Sequence, residues 1–352
     1  MRALISGAGV AGPTLAWFLA KTGPHVTIVE KSHSLLPIGQ NIDVNGTALS
    51  VIKKMGLMDE LRRLNTTEKG TQFVDTNGRQ LASFPLKEGS VSATSEYKIL
   101  RRDLVKMLAE ASLKLPHVEY MFNTTIEKVH SSDGDAVKVE LSNGEVYEYD
   151  LFQYFSSEDV TVIDKNMYAV YGNITRLSGD NDIRMPCNDA QKKAWDIAAR
   201  SDRQTQHALI RSEFADADWQ AQRLFDMMDQ SPDFYFKAIQ QIKMSKWSNG
   251  RVVCIGDAAY APTPLTGASL ALLGAYVLAG ELSKLNPGEN PASALKAYET
   301  NFRPFVEETQ WTAWQRQLFR AAMWVISKIV AVPWFASRHD ENKEDANFPL
   351  PQ

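Results

Sequence analysis

Cysteine is almost absent: Cys187 and Cys254 are the two in 352 residues. They form neither a CxxC redox pair nor a disulfide framework, so a reducing compartment is expected. No block of lysine or arginine stands anywhere in the chain, and the net charge is −4. Nucleic-acid binding needs clustered cations that neutralise phosphates, so no nucleic-acid partner is expected. The six histidines, His25, His33, His117, His130, His207 and His339, show no metal-ligand spacing, and no G-x-S-x-G turn occurs. Metal-dependent hydrolysis and serine chemistry therefore lack support, and no metal is expected. Apolar runs are short as well. The stretch Trp311 to Phe335 is interrupted by Arg316, Arg320, Lys328 and Pro333, well below the ~20 residues that span a bilayer. It reads as a helix packed on the body of the protein, with an interfacial helix guiding a lipophilic substrate as the sharper alternative. The first apolar run starts at Arg2, which leaves no room for a cleavable leader, and a cytoplasmic protein is expected. No internal repeat or low-complexity segment is evident.

What is present is a chain with 44% hydrophobic residues, enough to bury a large core and form two domains. Arg2 to Ser6 is a short apolar run of strand type, and Pro13 to Lys21 places apolar residues at helical spacing. Between them stands Gly7-Ala8-Gly9-Val10-Ala11-Gly12. In a strand-turn-helix of this kind Gly7 permits the tight turn, Gly9 lets backbone approach a pyrophosphate, and Gly12 allows close packing of helix on strand. The helix N-terminus offers free N–H groups and the positive end of the helix dipole to the phosphates. A second strand, His25 to Val29, ends at Glu30, near the offset at which a carboxylate receives ribose hydroxyls. This unit binds a dinucleotide without saying which.

Further on, Gly46 to Leu57 carries a helical stripe with a stop at Gly56, and Arg102 to Leu113 repeats the pattern. Thr71 to Asp75 and Gln80 to Phe84 flank Asn77-Gly78, and a second Asn-Gly pair at 143–144 lies within Ala136 to Tyr149; both predict hairpins. Weaker signals suggest a strand over Met167 to Ile174 and helices over Asp189 to Ala199 and Asp216 to Met228. A second informative segment follows. Arg251 to Ile255 is a strand ending at Gly256-Asp257, and Ala261-Pro262-Thr263-Pro264-Leu265-Thr266-Gly267 leads into a helix over Ala268 to Leu282. An aspartate at the carboxyl end of a strand can accept hydrogen bonds from a polyol, and a Pro/Gly loop before a helix brings N–H groups to a ligand. A flavin offers both targets.

Three segments, GAGVAGPTLAWFLAKTGPHVTIVEKS, GQNIDVNGTALSVIKKMGL and FYFKAIQQIKMSKWSNGRVVCIGDAAYAPTPLTG, resemble the FAD-dependent aromatic-ring monooxygenases of the para-hydroxybenzoate hydroxylase family, with the closest look to the tetracycline-inactivating branch. The resemblance covers about half the chain, mostly on the cofactor side. It implies an α/β fold with α+β insertions: a Rossmann-like FAD-binding domain (1–70, 98–150 and 245–300), a smaller mixed or antiparallel-sheet substrate domain (71–97 and 151–244) and a C-terminal helical segment (301–352). By the resemblance, Gly7, Gly9 and Gly12 face the FAD pyrophosphate, Glu30 and Lys31 lie beside the adenosine ribose, and Asp43 and Arg101 approach the flavin, Arg102 being the neighbouring alternative. Lys31 stands where the family usually has arginine. Asp257 would hold the ribityl chain, and Pro264 with Gly267 would lie along the isoalloxazine edge. Phe234, Tyr235 and Phe236, just before the flavin-binding strand, are candidates for the wall of an aromatic pocket.

The chemistry implied is monooxygenation: NADPH or NADH reduces FAD, O2 adds at flavin C4a, and the resulting hydroperoxide hydroxylates or epoxidises an aromatic or polycyclic small molecule. The flavin carries the hard step, and no obligatory protein acid or base is nominated. A monomer or weak homodimer is expected. The chain departs from the family pattern in three places. Phe152-Gln153-Tyr154-Phe155 stands where a Gly-Ala-Asp-Gly segment normally follows, a second glycine after Gly267 is missing, and Leu36 replaces an arginine associated with NADPH. These departures point either to an altered reductant side or, for the first two, to residues omitted between abruptly resuming flanks. The altered side would fit a flavin-binding oxidase, cyclase or ligand-binding protein that no longer oxygenates. A nicotinamide-dependent dehydrogenase would share the first motif but would not need Gly256-Asp257, and no Tyr-x-x-x-Lys pair marks a hydride-transfer site.

Overall fold

The computed structural model describes residues 1–35, 39–67, 70–74, 80–85, 97–131, 134–153, 160–172, 182–184, 192–217, 220–262 and 266–310. Strand β1 (Arg2–Ser6) turns at Gly7 into α1 (Ala11–Lys21), and β2 (His25–Glu30) returns parallel to β1 with Ile5 opposite Ile28. Ala3, Leu4 and Ile5 are wholly buried, because a parallel strand covered on both faces needs a continuous apolar run rather than an alternating one.

The chain then forms β3 (Asn41–Val44), α2 (Thr47–Lys54), α3 (Met58–Arg63), the hairpin β4 (Gly70–Val74) and β5 (Gln80–Pro85), β6 (Tyr97–Leu100) antiparallel to β3, α4 (Arg101–Leu113) and β7 (Val118–Phe122), which adds in parallel to β2. An antiparallel meander follows, β8 (Ile126–Ser131), β9 (Val137–Leu141) and β10 (Val146–Tyr149), and then β11 (Leu151–Gln153). The second lobe holds β12 (Val160–Tyr171), β13 (Asp182–Arg184), α5 (Lys192–Ala198), α6 (Arg203–Glu213), α7 (Ala221–Gln230) and β14 (Tyr235–Met244), which pairs antiparallel with β12. The chain comes back through β15 (Ser248–Asn249), β16 (Val252–Val253), α8 (Asp257–Tyr260), α9 (Gly267–Leu282) and α10 (Ala292–Thr309).

The central sheet has the order β15-β16-β11-β1-β2-β7. Its parallel members end in Ser6, Glu30, Phe122, Gln153 and Val253, so the first glycine turn, Glu30 and the Gly256-Asp257 turn all lie at carboxyl ends of one sheet. That is where open α/β sheets bind ligands. This fold, a Rossmann-like α/β body with antiparallel insertions and a helical C-terminal side, agrees with the expectation.

Both expected hairpins form; the Asn77-Gly78 turn lies outside the described residues, and Gly144 takes φ +83° between β9 and β10. Four expectations need correction. The boundary placed after Asp150 falls one strand early, because Leu151–Gln153 pair with Ala3–Ile5 inside the central sheet. The strand expected at Met167 begins at Val160, and a bulge between Asp164 and Tyr168 breaks its alternation. The helix expected from Asp216 starts at Ala221, and a further helix, α6, precedes it. The strand expected over Arg251 to Ile255 is paired only at Val252–Val253. The tail from Trp311 onward lies outside the described residues, and among those described no helix is long and apolar enough to cross a membrane.

Candidate active site

Gly7 adopts φ +104°, a conformation that side chains disfavour. A Cβ on Gly12 would stand 2.2 Å from the Gly7 carbonyl oxygen and 3.2 Å from the Ile5 side chain, so helix α1 sits on β1 as closely as backbone allows. A Cβ on Gly9 would meet nothing within 4 Å, leaving open space over the turn. Helix α1 has no capping side chain and no acid in its first turn, so its N–H groups and dipole end are free for an anion. The Glu30 carboxylate accepts from the N–H of Ala8 at 2.9 Å and of Ser32 at 3.0 Å, fixing the turn against the end of β2. Lys31, next in the chain, is exposed.

Gly256 (φ +64°) begins the second turn, and a Cβ there would be 3.3 Å from the Ala11 methyl. The two motifs therefore touch. Asp257 starts α8, and a Cβ on Gly267, the first residue of α9, would lie 3.3 Å from Asp257 Oδ1. Surrounding protein pushes the Asp257 carboxyl above its ordinary pKa, with the Arg101 charge pulling the other way. Its side chain is nevertheless reachable by solvent. Arg101 starts α4, its N–H donating to the Gln40 carbonyl at 2.9 Å, and Gly39 packs against its Cβ. Asp43 lies half-buried on β3 opposite Lys98, and Ser269 Oγ donates to Asn45 Oδ1 at 3.5 Å, joining α9 to the end of β3. Thr266 Oγ1 is buried without a partner among the described residues. Pro264 and Leu36 lie outside the described residues.

The three candidate pocket aromatics do not share a face. Burial raises the Tyr235 phenol, with the Arg101 charge lowering it and the Asp257 charge raising it, so Tyr235 lies within electrostatic reach of both, on the face of β14 opposite Phe236. Phe236 is buried against Trp195 at a ring separation of 5.3 Å, in the core between β14 and α5–α7. Phe234 packs on the same helical side, edge-on to His207. The reason is the two-residue period of a strand, which sends neighbours to opposite faces. The register instead brings Tyr171 opposite Tyr235, rings 6.1 Å apart. Sequence reading missed Tyr171 because its partner on β14 is set by a bulge, which local patterns do not announce.

Glycines that leave room for phosphates, an uncapped helix end, an anchored acid and a buried orphan hydroxyl at α9 fit a flavin dinucleotide. The FAD binding domain family matches residues 1–152 and 155–312. The chain belongs to the flavin-dependent monooxygenases. Among its relatives, this monooxygenase is 31% identical over 366 aligned positions to a flavin-dependent monooxygenase from an unknown prokaryotic organism, covering 94% of the chain and 93% of the relative. It is 31% identical to a flavin-dependent monooxygenase of Legionella longbeachae, covering 88% and 87%. A solved tetracycline destructase, Tet(55), superposes with a TM-score of 0.67 at 27% identity, covering 93% and 95%. The fold is shared with 2-methyl-3-hydroxypyridine-5-carboxylic acid oxygenase, at TM-score 0.69 and 20% identity over 94% of each chain. The family match breaks at 153–154, and the 366 aligned positions exceed this monooxygenase's own 352 residues.

Proposed function

We propose that this flavin-dependent monooxygenase uses NADPH or NADH and dioxygen to hydroxylate or epoxidise an aromatic or polycyclic small molecule. The observation that carries the reading is the approach of the two glycine turns, Gly256 against Ala11 and Gly267 against Asp257 Oδ1, with Arg101 and Tyr235 within electrostatic reach of Asp257. FAD, when bound, supplies the redox couple and the activation of dioxygen. The chain's own work is binding, orientation and exclusion of water. Gly7, Gly9 and Gly12 admit the pyrophosphate to the end of α1, and Glu30 with Lys31 meets the adenosine ribose. Asp257 holds the ribityl hydroxyls, while Asp43, Arg101, Pro264 and Gly267 border the flavin ring. Tyr235 walls the substrate side, where a planar ligand can be held against the ring and water kept out.

A second reading is kept by one observation. Only residues 154–159 separate β11 from β12, at the point where the family match breaks. With that segment shortened, the protein would be a flavin-binding oxidase, cyclase or ligand-binding protein served poorly by NADPH. Anaerobic addition of NADPH to the purified protein, with and without aromatic compounds, separates the two. Bleaching of the visible flavin bands that a substrate accelerates supports the monooxygenase; bound flavin that NADPH never reduces supports the second reading; absence of bound flavin overturns both.

A further inference from the structure

Arg102 and Asp233 lie 131 positions apart and meet: Arg102 Nη1 donates to Asp233 Oδ2 at 2.8 Å. The Asp233 side chain is 4% exposed, that of Arg102 37%. The contact joins the first turn of α4 to the segment that enters β14. Its immediate neighbours are cleft residues, Arg101 on one side and Tyr235 two positions along on the other. The segment is held firmly by its own lobe. The Arg203 guanidinium donates to the Ser231 and Met228 carbonyls and lies 5.2 Å from the Phe234 ring centre, while His207 meets that ring edge-on at 4.3 Å. Asp233 is thus a fixed post, and Arg102 reaches to it from the other lobe.

We propose that the Arg102–Asp233 ion pair is a positioning clamp that sets Tyr235 against Arg101 and Asp257 and thereby fixes the width of the cleft. This rests on the reading of that cleft as the substrate site. With Asp233 buried and Arg102 partly exposed, the pair adds little net stability, and the best-attested use of such a pair is to specify one arrangement. Here the arrangement specified is the register of two lobes at the one place where a planar ligand must fit between them.

The test is fluorine NMR of the full-length protein labelled with 3-fluorotyrosine, the Tyr235 signal being assigned by its loss in Tyr235→Phe. Arg102→Gln and Asp233→Asn are each expected to move the Tyr235 signal, and the charge-swapped pair, Arg102→Asp with Asp233→Arg, to return it towards its original position. Arg102→Gln alters the more exposed partner and keeps the test alive should Asp233→Asn fold poorly. FAD affinity, read by fluorescence quenching, is expected to stay within about threefold of wild type, since the clamp acts through Tyr235. An unmoved Tyr235 signal in both variants overturns the clamp, as does a loss of FAD affinity of about tenfold or more with that signal unmoved. Failure of the wild-type chain to bind FAD would sink the flavin reading and leave the NMR result to judge the clamp separately.

Discussion

Gly256 rests on Ala11, so that a Cβ added at 256 would be 3.3 Å from the Ala11 methyl. The second glycine turn therefore packs on the start of α1, and bulk at 256 would press on Ala11. The glycines of the first turn nevertheless have separable roles, and they can be tested apart.

Gly12→Ala forces a methyl to within 2.2 Å of the Gly7 carbonyl oxygen. The apo protein should lose about 2–3 kcal/mol of stability, in the upper range of overpacking. Gly9 has open space and no positive φ, so Gly9→Ala should leave urea unfolding of the apo protein nearly unchanged while weakening FAD by about tenfold or more. Equal losses of stability in both variants would contradict this division of roles.

Asp257 has a folded-state pKa above its ordinary value, set first by burial and countered by Arg101. The folded apo protein therefore holds this proton more tightly than the unfolded chain, so the group's contribution to stability falls as pH rises from its unfolded pKa through the raised one. Relative to wild type, Asp257→Asn should gain apo stability across that rise and lose FAD affinity. Parallel chemical denaturation at pH 4 and pH 7 would check the sign.

Phe236→Ala empties a buried site stacked on Trp195 and should cost about 3–5 kcal/mol. Tyr235→Phe keeps the ring and should leave stability almost unchanged while altering KM for an accepted aromatic. If Tyr235→Phe unfolded the protein and Phe236→Ala did not, the two faces of β14 would have to be exchanged.

Among the described glycines, Gly274 on α9 is the most closely approached: a Cβ there would be 2.0 Å from the Tyr260 hydroxyl and 3.1 Å from Phe302. Tyr260 Oη in turn bonds Tyr298 Oη at 2.9 Å. Gly274→Ala should destabilise by about 2 kcal/mol, and adding Tyr260→Phe should return part of that loss by removing the clashing atom. A double-mutant cycle on thermal unfolding reads the coupling.

His207 has a depressed pKa, burial outweighing the pull of Asp229. Its contribution is intact above the ordinary value of 6.5 and is lost as pH falls below it towards the depressed value, since the unfolded chain takes up the proton first. His207→Gln should flatten the fall in Tm between pH 7 and pH 5.

The cofactor side was the legible part because its needs are local. Gly7, Gly12 and Glu30 each answer to a neighbour within one strand-turn-helix, and the run Ala3 to Ile5 announces a strand buried on both faces. The second lobe was less so. Helix α6 buries only Ile210, giving almost no apolar stripe, although Asp202 caps it by accepting from the Thr205 N–H at 2.8 Å. Tyr171 meets Tyr235 through a register set by a bulge, and Asp233 meets Arg102 through a contact between lobes, neither of which leaves a mark on nearby residues. Phe236 shows the reverse error: an aromatic next to a site residue read as a companion, where strand geometry turns it away.

The order in which the sheet is filled has a consequence for synthesis. The first glycine turn is made within the first dozen residues, yet its partner turn at Gly256-Asp257 and the start of α9 emerge more than two hundred residues later. A chain still on the ribosome thus carries half a nucleotide site for most of its translation, and any product stopped before Gly267 would be unable to close it. Retention of flavin colour is in that sense a record that translation ran past the final strand of the sheet.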